Sequence, residues 1–256
     1  MIFGGESIYP VSHGPAMQQI FPAFLLLFSS ALVARAEWYA GTGSVDITPS
    51  GPVPLAGYGG QTRLPSRVEH PIHLKAAAFR FGKGQPHVLV TADLVGLSRR
   101  MVDEILARAK RTHGLNREQL ILNCSHNHSC PITADVLWLY YDLTREEEKA
   151  RNAYTEKVYL AYVEVIGRAL SNLEPAELSF SQGLAGIAVN RRRSRPGGKP
   201  LPGPVDQDVP VLVIHTRGGK GPKGILFGYS CHTTALSGTT IQGADAGYAQ
   251  IEPEKR

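Results

Sequence analysis

Leu120-Ile121-Leu122-Asn123-Cys124-Ser125-His126-Asn127-His128-Ser129-Cys130-Pro131 joins an apolar run to a polar exit that carries two histidines. The run reads as a buried strand and Pro131 as the turn beyond it. In an extended chain alternate side chains share a face, so Cys124, His126 and His128 are expected on one side. Two imidazoles at i and i+2 present two neutral nitrogens at a fixed separation, which is how many metal sites begin. A second exit of the same kind is Tyr229-Ser230-Cys231-His232-Thr233-Thr234, after Ile225-Leu226-Phe227. If the two strands are parallel neighbours, their ends bring His232 beside the pair. The same residues also suit hydrogen-bonded core or surface histidines. The nearby thiols Cys124, Cys130 and Cys231 widen the choice of ligand, because zinc accepts Cys/His mixtures.

Outward from that stretch, strands and helices alternate. Residues 37–47, 72–81 and 87–93 read as strands, the last ending in Asp93, which suits a cap of the next helix or a role in loop structure better than a group oriented toward a metal. Residues 99–112 form a helix with Val102, Ile105, Leu106 and Ala109 on its apolar face, and Gly114 marks its stop. Thr144-Arg145-Glu146-Glu147 is a capping box opening a long helix to about residue 173, with Tyr154, Val158, Tyr162, Val165 and Ala169 facing inward. Residues 177–190 read as extended, and residues 209–215 and 224–231 as two further strands. Asp245 onward begins another helix. The expected class is α/β (mixed α+β): mixed β-sheets packed with helices in one incomplete catalytic domain, residues 37–256. Gly41-Thr42-Gly43 is too isolated from a following helix to be a phosphate loop. The Gly/Pro-rich loop 51–60 fits either a plain surface turn or a close approach of backbone to a ligand.

Composition sets the outer limits. A hydrophobic share of 43% with 19% charged residues belongs to a folded domain and excludes a disordered chain. The net charge of +5 is mild, and its densest cluster, Arg191-Arg192-Arg193-Ser194-Arg195, comes without an aromatic platform, so no nucleic-acid partner is expected. Three cysteines are too few for a disulfide framework. Residues 24–33 are apolar and Ala34-Arg35-Ala36 fits a small-x-small cleavage site, so residues 1–36 are expected to be a signal peptide and the protein to be secreted or exported. The run is short and interrupted for a membrane span, and a retained N-terminal anchor is the alternative.

These pieces resemble the neutral/alkaline non-lysosomal ceramidase family, in its N-terminal catalytic domain. The matching residues run in order: Gly43-Ser44-Val45-Asp46-Ile47-Thr48-Pro49, Leu55-Ala56-Gly57-Tyr58, Asp93, His126-Asn127-His128-Ser129, Asn190-Arg191, Val205-Asp206 before Val209-Pro210-Val211-Leu212, the His232 element, and Asp245 with Gly247-Tyr248-Ala249. The resemblance implies a zinc-dependent amidohydrolase that cleaves the N-acyl amide of ceramide-like lipids into a fatty acid and a sphingoid base, with peripheral contact to a membrane surface. It implies Zn2+ held by His126 and His232, with His128 and Arg191 facing the substrate and the developing charge. The family's other zinc ligands, a Glu and a Tyr, belong to a region beyond Arg256, so the chain reads as a truncated piece. Asn127 and Cys130 depart from the family's usual Thr and Gly. They motivate an alternative, hydrolysis of another amide or ester on the same scaffold. A second alternative is an inactive fragment, or a binding module, with half of the zinc site.

Overall fold

The computed structural model describes residues 37–60, 62–190, 203–236 and 238–255. The expected signal peptide (1–36) and Arg191 lie outside these residues. The chain forms β1 (Trp38–Asp46), β2 (Arg67–Val68), β3 (His73–Phe81), β4 (His87–Ala92), α1 (Arg99–His113), β5 (Leu120–Cys124), α2 (Arg145–Ser171), β6 (Glu174–Leu184), β7 (Asp208–Thr216), β8 (Pro222–Phe227), β9 (Thr240–Ile241) and α3 (Ala244–Glu254). The mixed α+β class is therefore as the sequence indicates.

Seven strands form one mixed sheet in the order β5-β4-β3-β1-β6-β7-β8, while β2 and β9 pair separately. Only β4 and β5 are parallel within the large sheet, joined through α1; the other neighbours are antiparallel. Side-chain alternation splits the core in two. On one face Leu74, Ala76 and Ala78 of β3 join the main cluster with Ile105 of α1 and Tyr162, Val165 and Ile166 of α2. On the other, Ala77 packs with Ala40, Ala176 and Ile214. In a flat sheet β8 would lie three strand spacings from β1, about 14 Å. Instead, a Cβ built on Gly224 would be 3.0 Å from the Thr42 side chain. The β6–β8 half thus curls over the face of the sheet that the helices leave open.

Local chemistry explains the elements. Ser98 caps α1 by accepting from the Met101 N–H, and Thr144 with Glu147 forms the expected capping box on α2. Gly41 and Gly43 are not a phosphate loop. Cβ atoms there would stand 2.1 Å from the Ala169 carbonyl oxygen and 2.8 Å from the Arg168 Cβ, so the glycines let α2 lie directly on β1. Asp93 does not cap the next helix. Its carboxylate accepts from the His73 N–H at 2.9 Å and from the Gln250 amide at 3.0 Å, tying β3 and α3 to the end of β4. Strand β6 begins earlier than residue 177, and β8 stops at Phe227 rather than running on to residue 231.

Candidate metal centre

β5 ends at Cys124, so the two histidines are not on the strand. His126 has φ 57°, a left-handed conformation uncommon for a residue with a side chain. That turn breaks the alternation on which a shared face of Cys124, His126 and His128 rested. The backbone beyond it remains anchored on both sides. Ser125 and Asn127 donate their N–H groups to Ala92 and Leu94 carbonyls at 3.0 and 3.1 Å, and Gln242 donates to the Ser129 carbonyl at 3.1 Å.

Nor do two parallel strands bring His232 in. β5 and β8 sit at opposite edges of the sheet, and the pairing makes them run in opposite senses. The chain after β8 crosses to the far side, and Thr233 makes the join. Its hydroxyl lies 2.9 Å from the Ser125 carbonyl oxygen and 2.5 Å from that of His126.

The outcome is a triangle of imidazoles. Each pair among His126, His128 and His232 has ring centroids 4.8 Å apart. One nitrogen from each lies within 4.8 Å of the others, and no carboxylate or thiol among the described residues joins this group. Cys124, Cys130 and Cys231 are free thiols outside it. Burial pushes the Cys124 thiol up to about 12, with a smaller contribution from the Asp93 charge, and raises Cys130 and Cys231 as well, which opposes thiolate formation.

The hydrogen bonds orient the rings. His126 Nδ1 is 2.7 Å from the Val95 carbonyl oxygen, so that nitrogen carries the proton and Nε2 is left with its lone pair. His232 Nδ1 is 3.1 Å from Thr234 Oγ1, which leaves its Nε2 for the cluster. His126 Nε2 and His128 Nε2 are 3.3 Å apart. Two nitrogens each 2.0–2.1 Å from one tetrahedral ion lie about 3.3 Å from each other, which is the spacing of this pair, and the three imidazole nitrogens together are a donor set that could hold a metal ion. His128 is 8% exposed, whereas His126 and His232 reach solvent.

A loop before β2 seats His128. Gly57 has φ +94°, and a Cβ there would be 2.5 Å from His128 Cγ, so only glycine combines that backbone with that approach. The 51–60 loop is thus a close approach to an imidazole, not a plain turn. The Tyr141 hydroxyl accepts from the Gly57 N–H at 2.9 Å, and the Tyr58 ring meets His128 edge-on with centroids 5.0 Å apart.

Asn127 and Cys130 do not face the cluster. Asn127 is fully buried, and its amide donates to the Asp93 and Gln242 carbonyls at 3.2 and 2.7 Å while its oxygen accepts from the Ser129 N–H at 2.8 Å. Cys130 is also fully buried, with Sγ 3.1 Å from the Asn127 carbonyl oxygen. The sequence singles out His126, His128 and His232, and these converge. It gives no warning of Thr233, Val95 or Arg63, whose contacts exist only once distant segments meet.

Fold and site together define a mixed α+β domain with a three-histidine cluster able to hold a metal ion. Residues 38–256 match the neutral/alkaline non-lysosomal ceramidase family in its N-terminal part, and the chain belongs to that family. Among solved structures, a neutral ceramidase from Pseudomonas aeruginosa superposes with a TM-score of 0.66 at 20% identity, over 84% of this chain and 35% of that one. A ceramidase complexed with C2 superposes with a TM-score of 0.65 at 19% identity, over 84% and 34%. The chain therefore spans about a third of the length of these relatives. No individual curated protein matches it.

Proposed function

We propose that the chain carries part of a zinc-dependent amidohydrolase that cleaves the N-acyl amide of ceramide-like lipids to a fatty acid and a sphingoid base. The observation that carries this reading is the convergence of His126, His128 and His232 within 4.8 Å on a ceramidase-family scaffold. His126 and His232 would hold the ion, each through the ring nitrogen that its Nδ1 hydrogen bond leaves for the cluster. When bound, it supplies an acidified water and a Lewis acid for the acyl carbonyl. His128, fixed beside the ligands by Gly57 and Tyr58, donates to the carbonyl oxygen as charge develops there, or passes a proton to the amine nitrogen as the C–N bond breaks. Arg191 is assigned to the same developing charge. In the overall reaction water gives OH to the acyl carbon and H to the nitrogen. Export by the 1–36 leader and contact with a membrane surface belong to the same proposal.

A second reading, favoured by the 3.3 Å separation of the His126 and His128 Nε2 atoms, makes His128 a third ligand. The metal content of His128→Ala separates the two, since only a ligand role costs the ion. Hydrolysis of another amide or ester on the same scaffold loses the motive that Asn127 and Cys130 gave it, because both are fully buried. The reading is tested by incubating the full-length gene product with Zn2+ and a short-chain N-acylsphingosine, beside N-acyl amino acids and fatty-acyl esters, and quantifying products by mass spectrometry. Equal release of fatty acid and sphingoid base, lost in His126→Ala, supports it. Cleavage of the esters alone, or of none of these compounds, overturns it.

A further inference from the structure

We propose that Arg63 is the positioning residue for His128 and fastens the loop that seats His128 to the segment following His232, an inference that rests on the cluster being the working centre. Arg63 closes the loop that begins at Leu55, whose N–H donates to the Arg63 carbonyl at 2.8 Å. Its guanidinium then faces three ways. One terminal nitrogen donates to the Ala56 carbonyl at 3.1 Å, directly before the glycine that seats His128. The other donates to the Gly238 carbonyl at 2.9 Å, in the segment following His232. Its central carbon lies 4.5 Å from the centroid of the Tyr58 ring, the ring that meets His128 edge-on. Cation, phenol and imidazole therefore touch in series, the imidazole at the edge of the phenol ring, and the same cation ties the loop that seats His128 to the segment after His232.

Arginine is needed for geometric reasons. Two carbonyls on different loops and an aromatic face are met together by a planar fork of N–H groups, and the point charge of lysine cannot reproduce that arrangement. The β2–β9 pair joins the neighbouring residues 67–68 and 240–241, and Thr233 joins the His126 and His232 segments, so losing Arg63 displaces Tyr58 and His128 without unfolding the domain.

The experiment compares wild type, Arg63→Ala, Arg63→Lys and, as a control, Arg99→Ala, an exposed arginine paired with Asp103 on its own helix. The first readout is the His128 imidazole resonance in metal-free protein, assigned with His128→Gln. The second is Co2+ affinity, followed by the visible d–d absorption. Both Arg63 variants are expected to shift or broaden the His128 resonance and, because the Gly238 carbonyl held by Arg63 follows the ligand His232, to weaken Co2+ binding by about tenfold. Arg99→Ala should match wild type in both readouts. His128 resonances unchanged in both Arg63 variants overturn the proposal. Wild-type protein that binds no Co2+ overturns the metal reading instead, and the imidazole resonance still decides the role of Arg63.

Discussion

The hydroxyl of Thr233 lies 2.5 Å from the carbonyl oxygen of His126, and this contact joins two segments that start from opposite edges of the sheet. It places His232, one residue away, against the His126 ring. Thr233→Val keeps the shape and removes the hydroxyl. The expected cost is about 1 kcal/mol of stability in urea unfolding. Metal affinity should fall by about tenfold, since the ligands lose a fixed separation. Unchanged affinity would mean that the two half-sites are aligned without this hydroxyl.

Gly57→Ala tests how His128 is seated. The added Cβ would meet His128 Cγ at 2.5 Å on a backbone with φ +94°, so the substitution carries both a clash and a conformational penalty of about 1–3 kcal/mol. His128 must turn out of the triangle. Amide hydrolysis should drop by about a hundredfold, the usual scale for losing one donor to the developing charge. A Gly57→Ala protein with wild-type turnover would detach this loop from the reaction.

Asn127 is predicted to matter through the scaffold. Asn127→Asp is nearly isosteric but aims a carboxylate at the Asp93 and Gln242 carbonyls that the amide now serves. A destabilisation of about 3 kcal/mol is expected, because a buried charge is left facing acceptors. Chemical denaturation measures it directly. A shift in substrate preference with full stability would instead restore the idea that this position shapes substrate fit.

The thiols give a pH prediction. The Cys124 thiol is held neutral in the folded protein, raised by burial to about 12, while the unfolded chain ionises near the ordinary value of 9.0. The folded state therefore binds more protons at high pH, and the stability tied to this group is full below pH 9 and is lost as pH rises toward 12. The raised Tyr154 and Tyr162 hydroxyls act in the same direction. Urea midpoints at pH 7.5 and pH 10.5 should differ in that sense. At pH 8 a disulfide reagent should label Cys231 first and Cys130 only after unfolding, as Cys130 is fully buried and Cys231 is not.

The helices and most strands were legible because their signals are local: the Thr144/Glu147 box, the inward face of α2, the apolar run before the first histidine pair. The three histidines were legible as candidates for the same reason. How they meet was not. A strand rule placed Cys124 with His126 and His128, but the left-handed turn at His126 ends the period-two pattern. Parallel pairing was the simplest route for His232, but the β6–β8 half folds over the first, and a crossing loop delivers the residue. Arg63 and Thr233 act on carbonyls more than a hundred residues away, and nothing in their neighbours announces that.

The central claim is that this chain forms a metal site from its own histidines. The most direct test is the zinc content of purified protein, folded by circular dichroism, beside His126→Ala and His232→Ala. About one zinc per chain is expected in the wild type and little in either variant. Folded wild-type protein that retains no zinc, or variants that retain as much as wild type, would contradict it.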